Sequence, residues 1–195
     1  GGVEMMKENK RVEIINAAAT VFSRDGFHGA KMEDIAKEAN VGKGTIYGYF
    51  DSKEELFKEM VRYTADEYKD GMEKVLKTGK TMREKMIGLF KYHGGFLNKH
   101  VDIAKVVMSE QEALPREMKK EMIEDNIGLF KMIERTLKEG IEKGELRDDL
   151  DIELASLCII GSISQFYGKR IFFDRKSYKD IYPEPMVDMI LQGLK

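Results

Sequence analysis

At 195 residues the chain is long enough for one large domain, or a small one joined to a larger one. Hydrophobic residues make up 42% and charged residues 35%, an ordinary balance for a helix-rich soluble protein, and only three prolines interrupt the possibility of long helices. A single cysteine, Cys158, excludes an intrachain disulfide; no apolar run approaches the ~18 residues of a membrane span and no signal-peptide core is visible, so a cytoplasmic location off the membrane is expected.

In residues 7–25, Ile14, Ile15, Ala18, Val21 and Phe22 recur at three- and four-residue spacing. This predicts an amphipathic first helix, ended by Gly26, with Phe27 plugging the space beside the helices that follow. In the run 31–50, KMEDIAKEANVGKGTIYGYF, Met32, Ile35, Ala36 and Ala39 form one apolar face over roughly two turns. Asn40 suits the left-handed position that ends a helix, Val41 points inward, and Gly42 caps a second helix over 43–49. That helix buries Ile46 and Phe50 and leaves Lys43, Thr45, Tyr47 and Tyr49 available. Helix, short turn and helix, with Ala36, Gly42 and Gly44 near the crossing, is the helix-turn-helix plan, whose second helix enters the DNA major groove. A unit of about fifty residues buries little surface alone, so tight packing on the next helix is expected.

Residues 51–55 offer two overlapping capping boxes, Asp51 with Glu54 and Ser52 with Glu55. Leu56, Phe57, Met60, Val61, Thr64 and Tyr68 then continue one face to about Leu76, a helix that links the first unit mechanically to the rest. After a break at Thr78-Gly79-Lys80, a second amphipathic stretch runs from Thr81 to about His100, where Gly94-Gly95 predicts a kink or a helix end. A short helix is expected from Asp102 to about Ala113, with Ile103, Val106 and Val107 inside. Pro115 opens a longer one whose ridge is Met118, Met122, Ile123, Ile127, Phe130, Ile133, Leu137 and Ile141. Residues 139–153 read as a helix end, a turn at Gly144 and a new start at Asp151. Residues 152–173 are apolar on more than one face, which predicts burial on more than one side and makes Cys158 a buried small hydrophobe. The last helix, about 184–194, carries Met186, Val187, Met189, Ile190 and Leu191. Two helices with surplus apolar faces fit a two-fold dimer built as a four-helix bundle through Leu157, Gly161, Ser164, Met186, Met189 and Ile190; the alternative is that both close the chain's own core.

Asp34-Ile35-Ala36, Val41, Lys43-Gly44-Thr45-Ile46-Tyr47, Tyr49-Phe50 and Ser52-Lys53-Glu54-Glu55-Leu56, with the flank AAATVFSRDG at 17–26 and Phe27, keep one spacing without a gap. On these residues the first third of the chain resembles the TetR-type transcriptional regulators. Lys31 departs from the family's capping Thr, Asn40 from its Gly, Gly42 from its capping Ser, and Gly48 from a longer polar residue. Residues 139–153 also resemble the family's second-domain linker. The resemblance implies an all-α fold of about nine helices, with a three-helix DNA-binding domain over 1–52 and a larger helical effector-binding and dimerisation domain over 53–195. It implies DNA contacts from Lys31, Lys43, Gly44, Thr45, Tyr47, Tyr49 and Lys53. It also implies an effector pocket, with Met86, Phe90, His93, Met108, Phe130, Met132 and Phe166 as lining and Gly94, Gly95 and Gly161 leaving room. Without the resemblance, the methionines read more readily as a plain helical core than as a pocket.

Other chemistry is excluded by spacing. Val41-Gly42-Lys43-Gly44-Thr45 fails as a phosphate loop, because Gly44 follows Lys43 and position 37 is Lys. No G-x-S-x-G elbow or CxxC pair occurs, and His28, His93 and His100 lack the spacing of a helical metal site, so no metal or cofactor is expected. Glu110 and Glu112 are two apart and do not face each other on a helix. The net charge of −2 argues mildly against nucleic-acid binding, although the distribution of charge over one face matters more. Over residues 1–50, Lys7, Lys10, Arg11, Arg24, Lys31, Lys37 and Lys43 balance Glu4, Glu8, Glu13, Asp25, Glu33, Asp34 and Glu38. The expected protein is a non-enzymatic DNA-binding repressor, a homodimer on a near-palindromic double-stranded operator, released by a small hydrophobic effector. The balanced charge keeps two rivals open: a helical protein-interaction module, and a small-molecule-binding protein or enzyme that does not bind DNA and in which the helix-turn-helix is only a packing unit.

Overall fold

The computed structural model describes residues 2–109 and 116–194. The Glu110/Glu112 pair, the expected helix end at Ala113 and the helix start at Pro115 lie outside the described residues. Within them the chain is all-helical, as the sequence implies, with nine α-helices and no strand. These are α1 (Gly2–Gly29), α2 (Met32–Glu38), α3 (Lys43–Tyr47), α4 (Lys53–Thr78), α5 (Met82–Lys99), α6 (Val101–Ser109), α7 (Arg116–Glu142), α8 (Ile152–Gly168) and α9 (Glu184–Leu194). A π-helical turn, Lys169–Phe173, prolongs α8, and a short 3-10 turn, Tyr178–Asp180, precedes α9.

Two compact units result, one of residues 1–66 with 100–119, the other of 67–99 with 120–195. The boundary drawn at residue 52 falls inside the first unit, because the start of α4 and the later helix α6 complete its core. In that unit Ile14, Ala18, Val21 and Phe22 of α1 are buried with Ile35 of α2, Ile46 of α3, Leu56 and Met60 of α4, and Ile103 and Val106 of α6. Phe27 stacks on Phe22 at 5.7 Å and meets the edge of Phe57 at 5.1 Å, which is the plug its position predicts. Gly26 takes φ 70° and breaks the helical geometry of α1 there; a last turn follows to Gly29. Ser52 Oγ accepts from the Glu55 N–H at 3.1 Å, and the Glu55 carboxylate reaches back to the Asp51 N–H at 2.6 Å, so one of the two capping boxes forms, shifted by a residue on its return bond.

The second unit is held by Met72 and Leu76 of α4, Met86, Leu89 and Phe90 of α5, Met132, Ile133 and Leu137 of α7, Ile159, Ile163, Phe166 and Tyr167 of α8, and Val187 and Leu191 of α9. Gly144 turns the chain at φ 70°, and Asp151 caps α8 by accepting from the Leu154 N–H at 2.9 Å. Several expectations fail here for identifiable reasons. Gly94-Gly95 does not break α5: Gly94 is the seat of the Tyr167 ring, and a Cβ there would lie 2.2 Å from Tyr167 Cε1. On α7 the long ridge is buried at Ile133 and Leu137, while Ile123 and Ile127 stand exposed. Only one face of α8 is buried, because its other face finds no partner among the described residues. Leu154, Leu157, Cys158, Gly161 and Ser164 lie on that exposed face, so Cys158 is not the buried hydrophobe expected of it.

Candidate nucleic-acid interface

The turn between α2 and α3 is built from local backbone chemistry. Asn40 takes φ 52°, the left-handed geometry that Asn tolerates better than most side chains, and the Val41 N–H closes the turn on the Ala36 carbonyl at 2.9 Å. Gly42 is extended (φ −72°, ψ 156°) and starts α3 without a side-chain cap; Lys31 likewise starts α2 without one, as its departure from Thr implies. Ile46 and Phe50 are the anchors, at 0% and 1% exposure. They leave Lys43, Gly44, Thr45 and Tyr47 on the open side, with Tyr47 41% exposed, while Tyr49 is half-buried. Among the described residues, nothing beyond the nearby backbone of α3 lies within 4 Å of where a Cβ at Gly44 would stand, so the α3 backbone is accessible there. Tyr49, Thr45 and Gly48 form one wall of an open groove of about 870 Å³, and Glu4, Lys7, Glu8 and Arg11 of α1 form the other.

Electrostatically this face is restrained. The Lys43 ammonium donates to Glu33 Oε1 at 2.6 Å, and that hydrogen bond holds the Glu33 carboxyl below its ordinary range and the lysine above its own. Arg24 grips Asp25 through two bonds at 2.8 and 2.9 Å. Arg11 pairs with Glu59 at 2.6 Å while lying 4.8 Å over the Phe50 ring. Lys53 donates to the Ala30 carbonyl at 3.0 Å and the His28 carbonyl at 3.4 Å and sits over the Phe27 ring at 4.8 Å, so its ammonium closes the end of α1. Lys31 is exposed. Sequence reading missed the Glu33–Lys43 pair, because residues ten apart across a turn carry no periodic signal.

The residues expected around an effector do not all meet. Met86, Phe90, Met132 and Phe166 share the core of the second unit. His93 is half-buried beside them; its Nδ1 is 2.8 Å from the Tyr68 hydroxyl, and burial pushes its pKa down to about 4. Phe130 is half-buried on α7. Met108 is 67% exposed on α6 in the first unit, because α6 turns Ile103 and Val106 inward and Met108 falls on the opposite face. A separate open cleft of about 650 Å³ in the second unit, walled by Tyr92, Phe96, Tyr167, Tyr178 and Tyr182, was not anticipated. Among the described residues no helix is long and apolar enough to cross a membrane.

A helix-turn-helix with an anchored, solvent-facing second helix, joined to a larger helical unit, is the architecture of a DNA-binding transcriptional regulator. Residues 14–60 match the family model for bacterial regulatory proteins of the tetR family, and residues 79–168 match the tetracyclin repressor-like C-terminal domain. The fatty acid metabolism regulator protein of Bacillus subtilis (strain 168) is 28% identical over 188 residues, 96% of this chain and 97% of that one. The HTH-type transcriptional repressor KstR2 of Mycobacterium tuberculosis (strain ATCC 25618 / H37Rv) is 30% identical over 151 residues, 75% of this chain and 74% of that one. The solved structure of Bacillus subtilis FadR in complex with stearoyl-CoA is similar at a TM-score of 0.71 and 27% identity, covering 93% of this chain and 95% of that one. The chain belongs to the TetR family of DNA-binding transcriptional regulators and is not an enzyme.

Proposed function

We propose that the chain is a homodimeric repressor acting in the cytoplasm, which places α3 in the major groove of each half of a near-palindromic operator and is released by a molecule carrying a long acyl chain. The observation that carries the DNA reading is the open face of α3, where Lys43, Thr45 and Tyr47 stand clear of a backbone anchored by Ile46 and Phe50. Half-sites about one helical turn apart or a multiple of it follow from two-fold symmetry. Dimerisation is supported by exposed apolar side chains on both α8 and α9, where Leu154 is 58%, Leu157 49% and Met189 61% exposed. Cys158, Gly161 and Ser164 lie along the same exposed side of α8 and allow close helix approach, and Met186 and Ile190 of α9 are half-buried. The effector class is supported by the FadR relatives and by a core whose Met72, Met82, Met86 and Met132 are unbranched and yield to a flexible guest.

The test is selection of bound fragments from a random duplex pool, with Tyr47→Ala as control, followed by titration of the selected operator complex with stearoyl-CoA. A palindrome recovered with the parent chain, lost with Tyr47→Ala at unchanged dimer mass, and dissociated by stearoyl-CoA is the expected result. Equal recovery with Tyr47→Ala would overturn the assignment of α3 as the reader. An operator complex indifferent to stearoyl-CoA would overturn the acyl effector and leave the reader standing.

A further inference from the structure

Lys43 is the one cation in α3, and it does not face outward alone. Its ammonium lies 2.6 Å from Glu33 Oε1, and Glu33 stands in the first turn of α2. Both side chains are open to solvent, at 65% and 46% exposure. A pair this exposed adds little to folding stability. Its consequence is chemical: an amine donor and a carboxylate acceptor stand side by side on the face that α3 presents.

That arrangement has a complement in the major groove. A G·C pair offers two adjacent acceptors, guanine N7 and O6, next to a donor, cytosine N4. Lysine satisfies the first two and glutamate the third. An A·T pair offers two acceptors, adenine N7 and thymine O4, but the adenine N6 donor stands between them, so the ammonium finds no two adjacent acceptors there. A phosphate offers only negative oxygens, which the carboxylate repels. Gly44, where among the described residues nothing beyond the nearby α3 backbone lies within 4 Å of a built Cβ, leaves the backbone beside Lys43 open to such an edge.

We infer that Glu33 is a specificity-determining residue of the DNA-reading face, which with Lys43 reads one G·C pair in each half-site and keeps the lysine off the phosphates. The inference rests on α3 being the recognition helix. It also gives one of the acids of the first fifty residues a role on the reading face: Glu33 restrains indiscriminate binding and directs the lysine to a base.

The experiment compares the parent chain with Glu33→Ala and with Glu33→Gln, which keeps the size but not the charge. Each is put through the same random-duplex selection, and each is titrated against a non-specific duplex over a range of salt. The parent is expected to select G·C at one position of each half-site, and Glu33→Ala to select an otherwise similar operator in which that position is relaxed. The ratio of operator to non-specific affinity should fall about tenfold in Glu33→Ala, the loss expected for one base contact. For both variants the slope of log affinity against log salt on non-specific duplex should steepen by about 0.9, one additional phosphate. Unchanged base preference together with an unchanged slope would overturn the inference while leaving α3 as the reader. A parent chain that selects no sequence at all would overturn the reading beneath it. Thermal melting alongside reports whether either variant has lost its fold, and Glu33→Gln alone then decides the slope.

Discussion

Gly94 and Gly95 are neighbours on α5 and should respond to the same substitution with opposite sign. Replacing a helical glycine by alanine removes backbone freedom from the unfolded chain and favours the helix by about 0.8–1 kcal/mol. At Gly95 the new Cβ would meet only Tyr178 Cε2 at 3.8 Å, an ordinary contact, so Gly95→Ala should gain most of that amount. At Gly94 the new Cβ would lie 2.2, 2.5 and 2.7 Å from Cε1, Cζ and Cδ1 of Tyr167. That ring is 1% exposed and is packed against the His93 and Phe166 rings, which resist its displacement. Overpacking of this kind costs about 1–3 kcal/mol, and overlap with three ring carbons places it at the upper end. Net of the helix gain, Gly94→Ala should lose about 2 kcal/mol, and the two variants should differ by roughly 3 kcal/mol. Urea unfolding at one fixed protein concentration reads this directly. With a slope of about 2 kcal/mol per M, the midpoint falls by about 1 M in Gly94→Ala and rises by about 0.4 M in Gly95→Ala. Midpoints that move together in either direction would refute the packing argument, since propensity alone cannot separate two adjacent glycines of one helix.

Lys53→Met keeps the aliphatic stem but removes the bonds to the Ala30 and His28 carbonyls and the cation over Phe27. It should destabilise by about 1–2 kcal/mol, measured by the same unfolding assay. His93 carries a pH signature. Its folded pKa of about 4 lies below the ordinary 6.5, because burial beside Tyr68 and Tyr167 disfavours the charged ring. The unfolded chain therefore binds the proton first as pH falls. This part of the stability is whole above pH 6.5 and is lost towards pH 4, at up to about 1.4 kcal/mol per pH unit. His93→Gln should flatten the acid limb of stability against pH relative to the parent; parallel limbs would contradict the assignment.

What the sequence made legible is local. The spacing of Ile14 to Phe22, the left-handed Asn40, the cap at Ser52, the turn at Gly144 and the cap at Asp151 each depend on residues within one or two turns, and each stands where expected. What it concealed is pairwise. Gly94 reads as a breaker until Tyr167, far along the chain, is known to occupy its notch. Cys158 reads as interior by hydropathy and Met108 as pocket lining by family resemblance, yet their helices turn other faces to the core. Lys53 reads as a phosphate contact, and its ammonium is bonded to carbonyls at the end of α1. The pairing of Glu33 with Lys43 depends on how α2 and α3 cross, which no single-helix pattern encodes.

The proposed release by an effector requires a disturbance in the second unit's core to reach α3, and α4 is a helix that contributes to both compact units. Tyr92 is where α5 holds it. Its hydroxyl donates to the Glu67 carbonyl at 2.8 Å, and its ring fills the notch over Gly71, where a Cβ would lie 2.0 Å from Tyr92 Cζ. Phe90, two residues earlier on α5, is fully buried in the core that would receive the guest. A guest that displaces α5 therefore moves Tyr92 and, through it, α4. Tyr92→Phe keeps the ring in its notch and removes only the hydroxyl. Operator affinity without effector should hold, while the fold-weakening caused by stearoyl-CoA should shrink by about two- to tenfold, the worth of one hydrogen bond. Linkage then fixes a second number. The difference in stearoyl-CoA affinity between free and operator-bound protein must shrink by the same factor. An unchanged fold-weakening would remove Tyr92 from the coupling.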